Sequence, residues 1–197
     1  MVVASISQNG VVVLSVLGVI GQVIVAVMLL VGLLALVGVR APLNAIRRLL
    51  WGYELWAGFV VAAIATGGSL FFSEIRGFIP CELCWFQRIC MYPLSYLLLL
   101  FAWRGENRLA RYLIVFPVFG AGVSIYHILI ERGAIHEPPA CVIGGAIGCS
   151  TIWTNEFGYM TIPTLALTGF LLLIGFLVLA STGEADETAT LPAHAER

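Results

Sequence analysis

Val11 to Val39 is an apolar stretch without one charged side chain, and it fixes the solvent in which this chain folds. A helix needs about 20 such residues to cross the hydrocarbon of a bilayer. The stretch is too long for the core of a signal peptide and no basic segment precedes it, so it reads as a retained transmembrane helix. Its glycines and valines suit close helix packing in lipid. Composition extends the point to the whole molecule. The chain has 197 residues, 60% hydrophobic and 11% charged, which is more apolar surface than a soluble domain of that length can bury.

Four more apolar runs follow: Leu55 to Phe72, Trp85 to Trp103, Ala110 to Ile130, and one that ends near Ala180. The fold class expected is an all-α integral membrane protein, with one extra N-terminal transmembrane helix before four others. Residues 1–50 hold the first helix and a short polar linker, Arg40 to Glu54, begins after it. Residues 51–181 hold the other four runs, and 182–197, rich in alanine, threonine and acid, reads as a disordered tail. Pro93 predicts a kink in the third run. Thr161 followed by Pro163 reads as a cap and a first-turn proline for the fifth.

The basic residues give the orientation. There are ten arginines, no lysine and a net charge of −1, so no basic patch for nucleic acid exists. The linkers after the first and third runs carry Arg40, Arg47, Arg48, Arg104, Arg108 and Arg111, whereas Arg76, Arg88 and Arg132 lie on the other side. The positive-inside rule then predicts a cytoplasmic C-terminus and an external N-terminus. The segments holding Cys81, Cys84, Cys141 and Cys149 fall outside, where disulfides persist.

Pro80-Cys81-Glu82-Leu83-Cys84-Trp85-Phe86-Gln87-Arg88 stands where a polar linker turns into the third run. Cysteines three apart in a first helical turn bring their sulfurs close enough to form and break a disulfide. A helix N-terminus favours an anion, and Arg88 shares a face with Cys84 at four residues' spacing. Thiolates so placed have pKa values of roughly 3.5 to 7.5, so a reactive Cys84 is expected. For Arg88 the bland alternative is a snorkelling interface residue.

Cys141 and Cys149 lie in the longest polar segment, Glu131 to Thr161. Extended chain would separate them by roughly 27 Å, so a bridge needs the chain to double back, with Gly144 and Gly145 as the turn. Such a bridge is either a structural staple or a mobile disulfide that exchanges with Cys81–Cys84. Trp153, Phe157 and Tyr159 are expected to rest the loop on the membrane interface. A four-cysteine zinc site lacks the usual paired knuckles, and no histidine follows Cys84 to make a haem motif. Cys90, inside a run, reads as a small buried hydrophobe. His127 is a proton relay or a plain helix contact, and is left outside the site.

The Pro-Cys-x-Leu-Cys-x-x-Gln-Arg segment, the later Cys-Ser pair and Ile162-Pro163 together resemble the DsbB family, including its shorter-looped BdbC relatives, from about Tyr53 to Ala180. The resemblance implies a four-helix bundle, in a bacterial cytoplasmic membrane, that acts as a quinone-dependent protein-disulfide oxidoreductase. It would reoxidise an extracytoplasmic DsbA-like thioredoxin-fold partner and pass the electrons to ubiquinone or menaquinone. Carried onto these positions, Cys81 and Cys84 are the quinone-side pair, Cys84 and Arg88 bind the quinone, and Cys141 and Cys149 are the loop pair, with Cys141 the partner's target. The extra first helix, the close spacing of the loop pair and the short loop depart from the pattern. Rival classes are a vitamin K epoxide reductase-like or reductant-conduit protein, against which chain order and cysteine position argue, and a non-enzymatic scaffold stapled by disulfides.

Overall fold

Backbone groups within hydrocarbon have no water to bond, so each crossing segment must satisfy its own amides and carbonyls. In the computed structural model of this chain, which describes residues 2–106, 110–141 and 148–190, the crossing segments are all helices. Five are long and apolar enough to span: Gln8–Leu36, Glu54–Ile75, Glu82–Arg104, Arg111–Glu131 and Ile162–Thr182. Among the described residues the sole β pairing is one isolated bridge, Glu156 to Met160.

The elements in order are α1 (Val2–Leu36), α2 (Ala41–Leu50), α3 (Glu54–Leu70), α4 (Glu82–Arg104), α5 (Ala110–Leu113), α6 (Val115–Glu131) and α7 (Ile162–Thr190). A wider turn, Phe71–Ile75, prolongs α3. The break between α5 and α6 follows from Pro117, which has no N–H to offer the carbonyl of Leu113. Pro93 sits within α4, which continues through it. Gly105, at φ 66°, ends α4 in the left-handed conformation that glycine adopts without strain.

Two expectations need correction. The linker Arg40 to Glu54 holds a helix, α2, with Pro42 in its first turn and Arg47 and Arg48 in its last, each suited to that end. Its Leu43, Ile46 and Leu50 recur on one face and pack near Leu172, Phe176 and Leu179 of α7. The tail expected from residue 182 is helical as far as Thr190, because alanine and glutamate prolong a helix already begun. Residues 191–197 lie outside the described part.

Helices α3, α4, α6 and α7 form a closed square: α3 touches α4 and α7, and α6 touches the same two. Leu94, Leu98, Phe170 and Leu173 fill its centre and are fully buried. Gly120 lets the Phe170 ring lie against the α6 backbone, where a Cβ would clash. Between helices in lipid this close packing replaces the hydrophobic drive that water supplies elsewhere. Helix α1 lies outside the square, against α7.

Candidate redox site

Cys81 is the residue from which α4 starts. Its backbone is extended (φ −74°, ψ 175°), and its carbonyl accepts the first bond of the helix from Trp85 N–H at 3.2 Å. One turn brings the Cys84 sulfur to 3.1 Å from that of Cys81. A disulfide is about 2.05 Å, so this pair is a dithiol in contact, ready to close. Cys81 is buried and Cys84 half-buried.

The Cys84 S–H, donated to the Cys81 sulfur, holds Cys81 far below the usual thiol range, at about 4. Burial pushes the other way, and the facing His127 adds to the lowering. The sequence pointed to Cys84 as the thiolate, steadied by Arg88. An anion is favoured on Cys81 as well, which stands nearer the helix end. Arg88 turns to α3, donating from Nε to Ser69 Oγ at 3.0 Å and from Nη2 to the Ser69 carbonyl at 3.2 Å, with its guanidinium 5.4 Å from the Trp85 ring centre.

His127, which the sequence left outside the site, is 2% exposed and reaches in from α6. Its Nε2 is 3.0 Å from the Cys149 carbonyl oxygen and 3.7 Å from the Cys81 sulfur. A carbonyl only accepts, so Nε2 carries the hydrogen and points it between the two redox pairs. Nδ1 has no hydrogen-bond partner among the described residues. Glu131, one turn further along α6, lines a small cleft with Cys81, Cys84 and His127. The signal for His127 was its presence as an ionisable group inside an apolar run.

Cys141 and Cys149 are bonded to each other, with Cα atoms 5.7 Å apart, and both are buried. Glu137 pins the second half of this loop: its carboxylate accepts from Cys149 N–H, from Ser150 N–H at 3.4 Å and from Ser150 Oγ at 2.8 Å. The turn expected at Gly144 and Gly145 lies outside the described residues. Cys81, Cys141 and Cys149 share one buried cluster with Leu83 and Ile130. Because two of the sulfurs are spent in the disulfide, the four-cysteine zinc set is not available here. Cys81, Cys84 and His127 do bring three ligand atoms within 4.8 Å of one another. Cys90 is buried in the central core, as a small hydrophobe should be.

On its other side Cys84 faces an apolar cavity of about 300 Å³ enclosed by α1, α3, α4 and α7. Arg88, Gln87, Met91 and Tyr92 line it from α4. Phe72, Phe78 and Trp153 form a stack along it, with centroids 6.0 Å and 4.8 Å apart. Trp153 thus points into the protein, while Phe157 stays 59% exposed and Tyr159 bonds to Gln22 of α1 at 2.9 Å. Gln87 is buried and its Nε2 lacks a hydrogen-bond partner among the described residues. The cavity is at the small end of the range that encloses a ligand, and it offers a thiol, a cation and a free amide donor in an apolar setting.

The model of the family described as "Disulfide bond formation protein DsbB" matches residues 47–180. Among individual proteins, "Disulfide bond formation protein C" of Bacillus subtilis is 47% identical over 135 residues, which is 68% of this chain and 95% of that protein. A "Probable disulfide formation protein" of Deinococcus radiodurans is 38% identical over 131 residues, covering 63% of this chain and 86% of its own length. Another so described, from Coxiella burnetii, is 35% identical over 135 residues, with coverage of 68% and 92%. No solved structure matches. With a dithiol at a helix start, a loop disulfide beside it and a match that spans all four helices of the square, the chain belongs to the DsbB family of membrane disulfide bond formation proteins.

Proposed function

We propose that this protein reoxidises an extracytoplasmic DsbA-like thioredoxin-fold partner and delivers the electrons to a membrane quinone. The observation that carries the proposal is the placement of one dithiol between two neighbours. Cys81 is clustered with the loop disulfide, and Cys84 lines the apolar cavity. Electrons received at the loop have a short route through this pair, and nothing else in the described part offers one.

In the cycle, a partner thiolate attacks the Cys141–Cys149 disulfide, and the partner's second thiol then completes its own disulfide while both loop sulfurs are reduced. The loop dithiol exchanges with an oxidised Cys81–Cys84 pair, restoring Cys141–Cys149 and leaving Cys81 and Cys84 with the two electrons. The Cys141–Cys149 bridge and the facing Cys81 and Cys84 thiols are the groups this exchange would use. A bound quinone supplies an acceptor of two electrons and two protons. The cavity suits one: it is apolar, Gln87 Nε2 has no hydrogen-bond partner among the described residues and can donate to a carbonyl, and Arg88 brings positive charge beside Cys84. His127 aims its Nε2–H at the Cys81 sulfur and the Cys149 carbonyl, and so holds the two pairs in register.

The orientation belongs to the same proposal. Helix α3 follows the arginine-bearing α2 and runs towards the cysteine end, and α4 runs back to Arg104. Both cysteine pairs therefore occupy one end of the bundle and Arg40, Arg47, Arg48 and Arg104 the other, which sets the cysteines outside by the positive-inside rule. Disulfides used only as staples account for Cys141–Cys149 and leave the buried, lowered Cys81 thiol without a purpose.

The test is reduction of a quinone by a reduced thioredoxin-fold donor with purified protein. Cys84→Ser should abolish it while the loop disulfide still accepts electrons from the donor. Full activity in Cys84→Ser would remove the proposal.

A further inference from the structure

The cavity beside Cys84 has a wall that the family match does not contain. Leu14, Leu17, Gly18, Ile20, Gly21 and Ile24 of α1 line it, whereas the match begins at residue 47. The Bacillus subtilis relative is occupied by its match over 95% of its length, which leaves it too few residues for another membrane-spanning helix. This wall is an addition in the present chain.

Helix α1 is seated in one register. A Cβ on Gly21 would lie 2.9 Å from Thr168 Cγ2, and one on Gly18 would strike the Leu165 side chain, so the glycines bring the α1 backbone onto α7. Gln22 accepts a hydrogen bond from the Tyr159 hydroxyl at 2.9 Å, which fixes the height of the helix against the outer loop. Val11 and Ser15, on the same face, are 2% and 1% exposed, while Val16 and Val23 on the opposite face are 43% and 59% exposed, and Leu29, further along the helix, is 61% exposed. A helix that served only as an anchor needs none of this. Ile20 and Ile24 line the cavity and are also 51% and 40% exposed, so they stand at its mouth.

We propose that α1 is a built-in wall of the quinone site. It covers the cavity where α3 and α7 would otherwise open to lipid, keeps the ring beside Cys84 and Arg88, and lets the isoprenoid tail leave past Ile20 and Ile24. This rests on the quinone reading of the cavity, and the experiment separates the two. The full-length protein in lipid nanodiscs is irradiated with an azido-substituted short-tail quinone, and the labelled segments are mapped by mass spectrometry. Label on both residues 14–24 and residues 84–92, lost with excess unlabelled quinone, is the expected result. Label on 84–92 without any on 14–24 overturns the wall, and label on neither overturns the quinone reading itself.

A second measurement guards against a probe that reacts poorly with aliphatic side chains. Leu17→Trp and Ile20→Trp fill the cavity and its mouth, and should raise the quinone KM by about tenfold or more. The rate at which dithiothreitol reduces Cys141–Cys149 should not change, which shows the site is still folded. Leu29→Trp, on the lipid face, should leave both unaltered. An unchanged quinone KM in Leu17→Trp and Ile20→Trp together overturns the inference.

Discussion

A Cys81 thiol that ionises at about 4 changes how many protons accompany the electrons into the dithiol. An ordinary thiol pair takes up two protons with two electrons, so its potential falls by about 59 mV per pH unit, whereas a pair with one sulfur already ionised takes up one and falls by about 30 mV. The depressed group gives stability that is complete above its ordinary value of 9.0 and lost as pH falls through about 4. At pH 7 the reduced pair is therefore favoured over one with an unshifted thiol. Its potential is correspondingly more oxidising.

The assay is equilibration of a Cys141→Ala, Cys149→Ala double variant in dithiothreitol redox buffers from pH 5 to pH 8, with thiol alkylation and mass shift as the readout. Removing the loop pair leaves Cys81–Cys84 as the one couple that titrates. A slope near 30 mV per unit across this range is expected. A slope near 59 mV throughout would refute the assignment of the charge to Cys81, and with it the role given to the Cys84 S–H.

Three other perturbations follow from the contacts. Arg88→Ala removes both bonds to Ser69 and the charge beside the cavity, so the quinone KM should rise by about tenfold or more, and an unchanged KM would make the arginine a structural tie between α3 and α4. Glu137→Ala leaves the Cys149 and Ser150 amides without their acceptor, at a cost of about 1–3 kcal/mol, and should let dithiothreitol reduce Cys141–Cys149 several-fold faster. Cys90→Ala, in the core and away from both pairs, should keep quinone reduction within about twofold, since it removes a small buried hydrophobe and no chemistry.

What could be read from the sequence was what local pattern encodes. The spans come from apolar run length, the start of α4 from the change of composition at Pro80, and the two cysteine pairs from spacing. Helix α2 was also legible, since Leu43, Ile46 and Leu50 recur on one face, but its arginines drew attention to charge instead. The rest depends on residues brought together across the bundle. His127 meets Cys81 from 46 positions away, Arg88 finds Ser69 on another helix, and Trp153 stacks on Phe78. No periodicity in a single segment carries such pairings. The cavity likewise exists only because α1 closes against α7 through Gly18 and Gly21.

The two placements of the thiolate, on Cys84 beside Arg88 and on Cys81 beside His127, are joined by one proton. With the proton on Cys84, the negative charge sits on Cys81, next to the His127 Nε2–H and in the cluster that holds the loop disulfide. That is the position suited to exchange with the loop, where a thiolate must be attacker or leaving group. Shift the proton across the 3.1 Å between the sulfurs, and the charge moves to Cys84, which lines the cavity with Arg88 and Gln87. On the proposed function, delivery to an acceptor in the cavity would need the second arrangement, and Arg88, which lines the cavity with Cys84, is the cation that favours it. On the proposed function, the dithiol would take its electrons on one side and offer them on the other by moving a hydrogen over one contact, with no helix displaced.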